Sequence, residues 1–150
     1  MEKHPLATME GSMGHRIGMA GKLLQKTLES RFKEAGYEIE MPQWLVLLHL
    51  WGQDGWNQAS LSQHLKHHKT AITRAIDKLE KQNYVLRVAD RNDRRNKLIY
   101  LTNLGKSLKL ELIPIAKSVL ESATSGIDTA EVDVCKSVLK RIAENLADLS

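Results

Sequence analysis

The sequence predicts a mainly α-helical chain interrupted once by a β-hairpin. Three observations predict it. Apolar residues recur at three- and four-residue steps over most of the chain, the signature of helices with one buried face. β-branched and aromatic residues gather in one place, residues 84–101, on either side of a polar, charged stretch. Ser, Thr, Pro, Gly and Asn stand where those stripes begin and end. The 150 residues amount to about one domain. With 42% hydrophobic and 27% charged residues, the chain is too apolar for a disordered tail. Its one cysteine, Cys135, excludes a disulfide scaffold. No apolar run approaches the roughly 18 residues of a membrane span. The opening segment MEKHPLATMEGSMGHRIG has no continuous apolar stretch, so no secretory signal is expected and the expected setting is intracellular.

From Ser12 to Ala35 the stripe is Ile17, Ala20, Leu24, Leu28, Phe32 and Ala35, and Gly36 is placed to end that helix. An extended link, Tyr37 to Met41, leads to Pro42, a good first helical residue. The run PQWLVLLHLW is apolar nearly all round and reads as a short buried helix. Gly52 and Gly55 bracket a turn, after which Ser60 is placed to cap the short helix SLSQHLK. A tight connection follows. The segment TAITRAIDKLEKQ then sets Ala71, Ile72, Ala75, Ile76 and Leu79 on one side and Thr70, Thr73, Arg74, Asp77, Lys78 and Lys81 on the other. Asn83 stands where that helix should stop, and asparagine tolerates the left-handed conformation needed there. YVLRVAD and KLIYL are the two strands, with RNDRRN as the turn between them. Thr102 caps a long helix with the stripe Leu104, Leu108, Leu112, Ile115 and Val119, which Pro114 should bend or whose hydrogen-bond ladder it should break. After a break at Ser125–Gly126, Asp128 or Thr129 caps a last helix whose stripe includes Cys135, Ile142, Leu146 and Leu149.

A short helix, a tight turn, a polar-faced helix and a hairpin form a winged helix-turn-helix over residues 42–101. The charge agrees. Residues 60–100 hold ten Lys or Arg against four Asp or Glu, a net +6, while the other 109 residues sum to −2. The whole excess of the +4 chain therefore lies on this lobe, as expected of a polyanion-binding surface; a merely solvated face is the bland alternative.

At these residues the sequence resembles the MarR family of bacterial transcriptional regulators. The resemblance is carried by MPQWLVLLHL, by LSQHLKHHKTAITRAIDKLEKQNYV, by ADRNDRRNKLIYLTNLGKSL with its Leu101-Thr102-x-x-Gly105, and by the two flanking helices, together about residues 14–149. Two departures stand out. Asn83 replaces a frequent glycine, and Lys66-His67-His68-Lys69 replaces a small, glycine-containing turn, which points to unusual, pH-sensitive phosphate or base contacts there.

A winged helix-turn-helix places the first half of helix 69–82 in the major groove, with Lys69, Thr70, Thr73 and Arg74 facing it. Arg74 is the candidate for a bidentate guanine contact; its alternative is an ion pair with Asp77 or Glu80. Thr70 and Thr73 suit a base or a phosphate, and Lys78 a phosphate. The wing carries Arg91, Arg94 and Arg95. The resemblance implies that Arg95 enters the minor groove, where the negative potential favours arginine. Asp93 is expected to orient Arg94 or Arg95, and Asp90 to cap the loop.

The flanking helices, 12–36 and 102–149, either pack on their own lobe or complete their stripes against a second chain; the resemblance implies the second, a homodimerisation region reading a pseudo-palindromic double-stranded operator. It also implies release from DNA by a small aromatic or lipophilic effector where the two regions meet. His15, Arg16, Tyr37, Met41, Trp44 and Leu48 are the candidates, with plain core as the alternative for Trp44 and Leu48. No metal is expected: His64, His67 and His68 have no nearby Cys or carboxylate as a third ligand. Cys135 reads as a buried, inert thiol, with a thiol-responsive regulator as the alternative. No catalytic constellation or cofactor motif is present. The reading is a cytoplasmic, nucleoid-associated DNA-binding regulator, which the resemblance implies to be a repressor; the rival is a winged-helix protein-interaction module without DNA recognition.

Overall fold

The structure, a computed structural model, describes residue 9, residues 11–66 and residues 68–149. His67 lies outside them. Helix α1 spans Met13–Glu34, α2 Met41–Gly52, strand β1 Trp56–Asn57, α3 Gln58–Leu65, α4 Lys69–Lys81, β2 Val85–Ala89, β3 Lys97–Leu101, α5 Asn103–Ala123 and α6 Thr129–Ala147. The mainly helical winged fold is the one the sequence predicts.

Local chemistry sets most boundaries. Ser12 caps α1 by accepting from the His15 amide, and Gly36 follows it with φ 93°, a left-handed turn that costs glycine least. Pro42 sits in the first turn of α2. Asn83 takes φ 65° after α4. Thr102 caps α5 by accepting from the Gly105 amide at 3.0 Å. Gly105 has a second reason to be glycine: a Cβ there would lie 2.0 Å from the Tyr84 carbonyl oxygen. Its own carbonyl accepts from Trp51 Nε1 at 2.9 Å, so α2, α5 and the foot of the hairpin meet at this residue. Burial, and then the neighbouring Tyr37 hydroxyl, holds the Tyr84 hydroxyl above the usual tyrosine value.

Three expectations are corrected. The sheet has three strands, not two, because β1 joins β3 on the side away from β2, giving the antiparallel order β1-β3-β2. Two residues are too short to show any periodicity. Asn57 rather than Ser60 caps α3: its side chain accepts from the Ser60 amide at 3.1 Å, so the helix begins one turn earlier. Cys135 is exposed, since nothing among the described residues covers the face of α6 on which it lies. Helix α5 contains Pro114 within one 21-residue element, and the missing N–H takes one bond from its ladder without ending it.

The core is built on α2. Trp44, Val46, Leu47 and Leu50 are buried among Phe32 of α1, Ile72, Ile76 and Leu79 of α4, Val85 and Ile99 of the hairpin, and Leu108 and Leu112 of α5. Trp44 sits between Phe32 and Trp51, with ring centroids 5.1 and 5.8 Å apart. The first half of α1 and all of α6 stand outside this core. Among the described residues α1 buries only Leu28 and Phe32, and α6 buries none. No helix of the described residues is long and apolar enough to cross a membrane.

Candidate nucleic-acid interface

Ile72, Ala75, Ile76 and Leu79 are buried, which turns the opposite face of α4 to solvent. Lys69, Thr70, Arg74 and Lys78 lie on that face, and Thr73 is half-buried at its edge. Arg74 has no ion-pair partner among the described residues. The carboxylates proposed as its alternative partners, Asp77 and Glu80, are taken by Arg87 of β2, at 2.6 and 3.1 Å. Lys78 is paired with Glu40 at 2.8 Å. The side chain of His68, the residue at the start of α4, makes no capping bond to its first amides, and a helix start of this kind suits an anion. Lys66 closes α3 in the left-handed region, φ 53°.

The wing tip is held by two aspartates. Asp90 Oδ1 accepts from the Asn92 amide at 3.0 Å. Asp93 Oδ1 accepts from the Arg95 amide at 3.1 Å and from Arg95 Nε at 3.3 Å. Of the three arginines Asp93 therefore touches Arg95, whose side chain is 92% exposed; Arg91 and Arg94 are exposed as well. Between wing and helices lies a cleft of about 260 Å³ lined by Asn57, Gln58, Lys69, Thr73, Arg95 and Lys97, among others. Lysine, arginine and amide donors converge there, a composition suited to a backbone phosphate.

The two described histidines of this stretch, His64 and His68, have different surroundings. His64 packs against the rings of His49 and Trp56, centroids 5.0 and 5.2 Å away, while His68 is exposed at the start of α4. Among the described residues no group of three or more His, Cys, Asp or Glu is placed to hold a metal ion.

The six effector candidates separate. Met41, Trp44 and Leu48 line one apolar cleft of about 360 Å³ with Leu24, Leu28 and Val119, and Lys117 at its edge. Trp44 is thus both core and cleft wall. Tyr37 borders a different, polar cleft with Lys26, Lys33 and Glu38. His15 and Arg16 are exposed near the start of α1, where Arg16 Nε donates to the Gly11 carbonyl. They lie at least eight helical residues, about 12 Å along the axis, before Leu24, the first α1 residue to line the cleft, and neither lines it.

Sequence reasoning missed Arg87, Gln58 and Glu40. The first two occupy alternating or capping positions whose partners come from other elements. Only Arg87, a charged residue on a strand face shared with buried Val85, carried a local signal.

The MarR family model matches residues 39–97. The chain is 31% identical to a MarR transcriptional regulator from Methanosarcina mazei Go1, covering 92% of this chain and 98% of that one with a TM-score of 0.83. It is 28% identical to a MarR family transcriptional regulator from Listeria monocytogenes solved in complex with 26mer DNA, covering 91% and 90% of the two chains with a TM-score of 0.80. It is also 27% identical over 130 residues to the HTH-type transcriptional regulator YybA of Bacillus subtilis, 87% of this chain and 85% of that one. An exposed arginine on a helix beside a basic wing, in a fold and sequence shared with these regulators, makes the chain a member of the MarR family of winged helix-turn-helix, DNA-binding transcriptional regulators.

Proposed function

We propose that this regulator is a homodimeric, cytoplasmic repressor that binds a pseudo-palindromic duplex and is released from it by a small aromatic or lipophilic molecule. The observation that carries the reading is Arg74, without an ion-pair partner among the described residues, on the same lobe as the exposed wing arginines. In this reading Lys69, Thr70, Thr73 and Arg74 face the major groove, Lys78 and Arg91 and Arg94 meet phosphates, and Arg95 enters the minor groove. A protein-interaction module has no use for a desolvatable free arginine beside a basic tip. The two-fold pairing is supported by Ile17, Leu24, Val138, Leu139 and Leu146 of α1 and α6, apolar side chains each left more than a third exposed. Residues 12–36 and 102–149 then form the dimerisation region and 42–101 the reading lobe. The apolar cleft at Met41, Trp44 and Leu48 is the effector site of this reading, with Lys117 able to meet a carboxylate.

Selection of bound duplexes from a random pool, followed by fluorescence anisotropy on the winner, tests the reading. Wild type should bind with steep salt dependence, and Arg74→Ala with Arg95→Ala should abolish selectivity. Salt-insensitive binding, or binding unchanged in the double variant, would sink it. Sedimentation should give a dimer at micromolar concentration, and a panel of aromatic acids should weaken binding in wild type more than in Trp44→Ala.

A further inference from the structure

We propose that Arg87, on the inner side of β2, is the positioning residue that holds the wing and the recognition helix α4 at the spacing needed to read DNA. The proposal rests on the DNA-binding reading above and adds a residue that touches no DNA.

The Arg87 side chain is 19% exposed and every edge of its guanidinium is engaged. Nη2 meets Asp77 Oδ1 at 2.6 Å and the Thr73 carbonyl at 3.4 Å. Nη1 donates to Glu80 Oε1 at 3.1 Å, and Nε to Gln58 Oε1 at 3.0 Å. Its backbone amide donates to the other Glu80 oxygen at 3.3 Å. Gln58 in turn donates through Nε2 to the Thr73 hydroxyl at 3.3 Å. One strand residue is thereby bonded to three turns of α4 and to the first residue of α3. A planar fork with fixed donor directions constrains position in a way that a single ammonium does not. Thr73, one of the groove-facing candidates, is held from both ends by this cluster.

The cluster also has an electrostatic consequence. Asp77 and Glu80 are the two carboxylates on α4, and both are partly exposed on the lobe that faces phosphates. Arg87 supplies their counter-charge from the protein side and leaves Arg74 unclaimed. Removing Arg87 releases both carboxylates toward the duplex and offers Arg74 an intrahelical partner, Asp77, three residues further on.

These two roles separate experimentally. Three variants are compared with wild type: Arg87→Met, Arg87→Lys, and Arg87→Met combined with Asp77→Asn and Glu80→Gln. The probes are a random-sequence 30-base-pair duplex and the duplex selected above, with circular dichroism as the check of folding. Arg87→Met should weaken binding to both. The triple variant, freed of the stranded carboxylates, should regain the random duplex to within about threefold of wild type, while its preference for the selected duplex stays at least about tenfold lower, the scale of one lost bidentate base contact. Arg87→Lys keeps the charge and should lose the same preference while holding the random duplex. If Arg87→Met fails to fold, the lysine variant carries the test alone. Full selectivity in Arg87→Lys, or its recovery in the triple variant, overturns the proposal and leaves Arg87 a counter-charge only. Failure of wild type to select any duplex would instead refute the DNA-binding reading itself.

Discussion

Glu40 and Lys78 are joined by a 2.8 Å ion pair that ties the link between α1 and α2 to the last turn of the recognition helix. Both side chains are more than half exposed, so the pair contributes about 0–1 kcal/mol and is within reach of competition from phosphate. Glu40→Gln should therefore leave stability nearly unchanged and release Lys78. Affinity for duplex DNA should rise, because Lys78 then meets its phosphate without giving up an ion pair, while the slope of log K against log salt should not flatten by the roughly 0.9 of a lost phosphate contact. A salt titration of anisotropy checks this; a flatter slope, or lower affinity, contradicts it.

Asp93 offers a test in which simple electrostatics and geometry predict opposite signs. Removing a negative charge from a DNA-binding tip should strengthen binding. Asp93 accepts from both the amide and Nε of Arg95, however, and so shapes the turn that aims that side chain. Asp93→Ala should weaken binding to the selected duplex several-fold. Asp93→Asn, which keeps the acceptor for the amide, should lie between the two. A gain in affinity for Asp93→Ala shows that the turn does not matter.

Lys66 holds a left-handed conformation that costs an ordinary residue about 1–2 kcal/mol. Glycine there escapes that cost but gives back some chain entropy. Lys66→Gly should stabilise the protein by about 0.5–1 kcal/mol, read as a rise of about 1–4 °C in Tm. The same variant should lower DNA affinity if the Lys66 ammonium meets a phosphate, so stability and binding move in opposite directions.

Gly105→Ala should be costly. The added carbon would fall 2.0 Å from the Tyr84 carbonyl oxygen, and both sides of the contact are backbone, which has no rotamer to yield. A loss of about 3 kcal/mol, or about 6–12 °C in Tm, is expected from thermal denaturation. A change below about 1 kcal/mol would show that α5 slides freely against the hairpin.

What could be read in advance was what lies local in the chain. Ser12, Gly36, Pro42, Asn83 and Thr102 each act on backbone within a turn of themselves, so their roles follow from residue type and spacing. The buried face of α4 is legible for the same reason, as is the opposite face that presents Arg74. What escaped depends on partners far along the chain. Trp56 and Asn57 become a strand only because Ile99 and Leu98 lie beside them. Arg87 becomes a hub only because Gln58, Asp77 and Glu80 converge from two helices. The apolar cleft needed α5 opposite Met41 and Trp44, and without knowing which part of α1 lines it, His15 and Arg16 fall into the same reading as Leu48.

Helix α6 keeps nineteen residues helical without burying one of them among the described residues. Helices of that length are only marginally stable in water on propensity alone. Among the described residues nothing buries Val134, Val138, Leu139 and Leu146, and in the two-fold pairing proposed above their cover is a second copy. Folding then becomes a bimolecular reaction, and dilution should lower Tm as mass action requires. The abundance of the regulator in the cell thereby enters its own folding equilibrium: a scarce chain is also a less ordered one, exposed to proteolysis at its last helix before it ever competes for DNA.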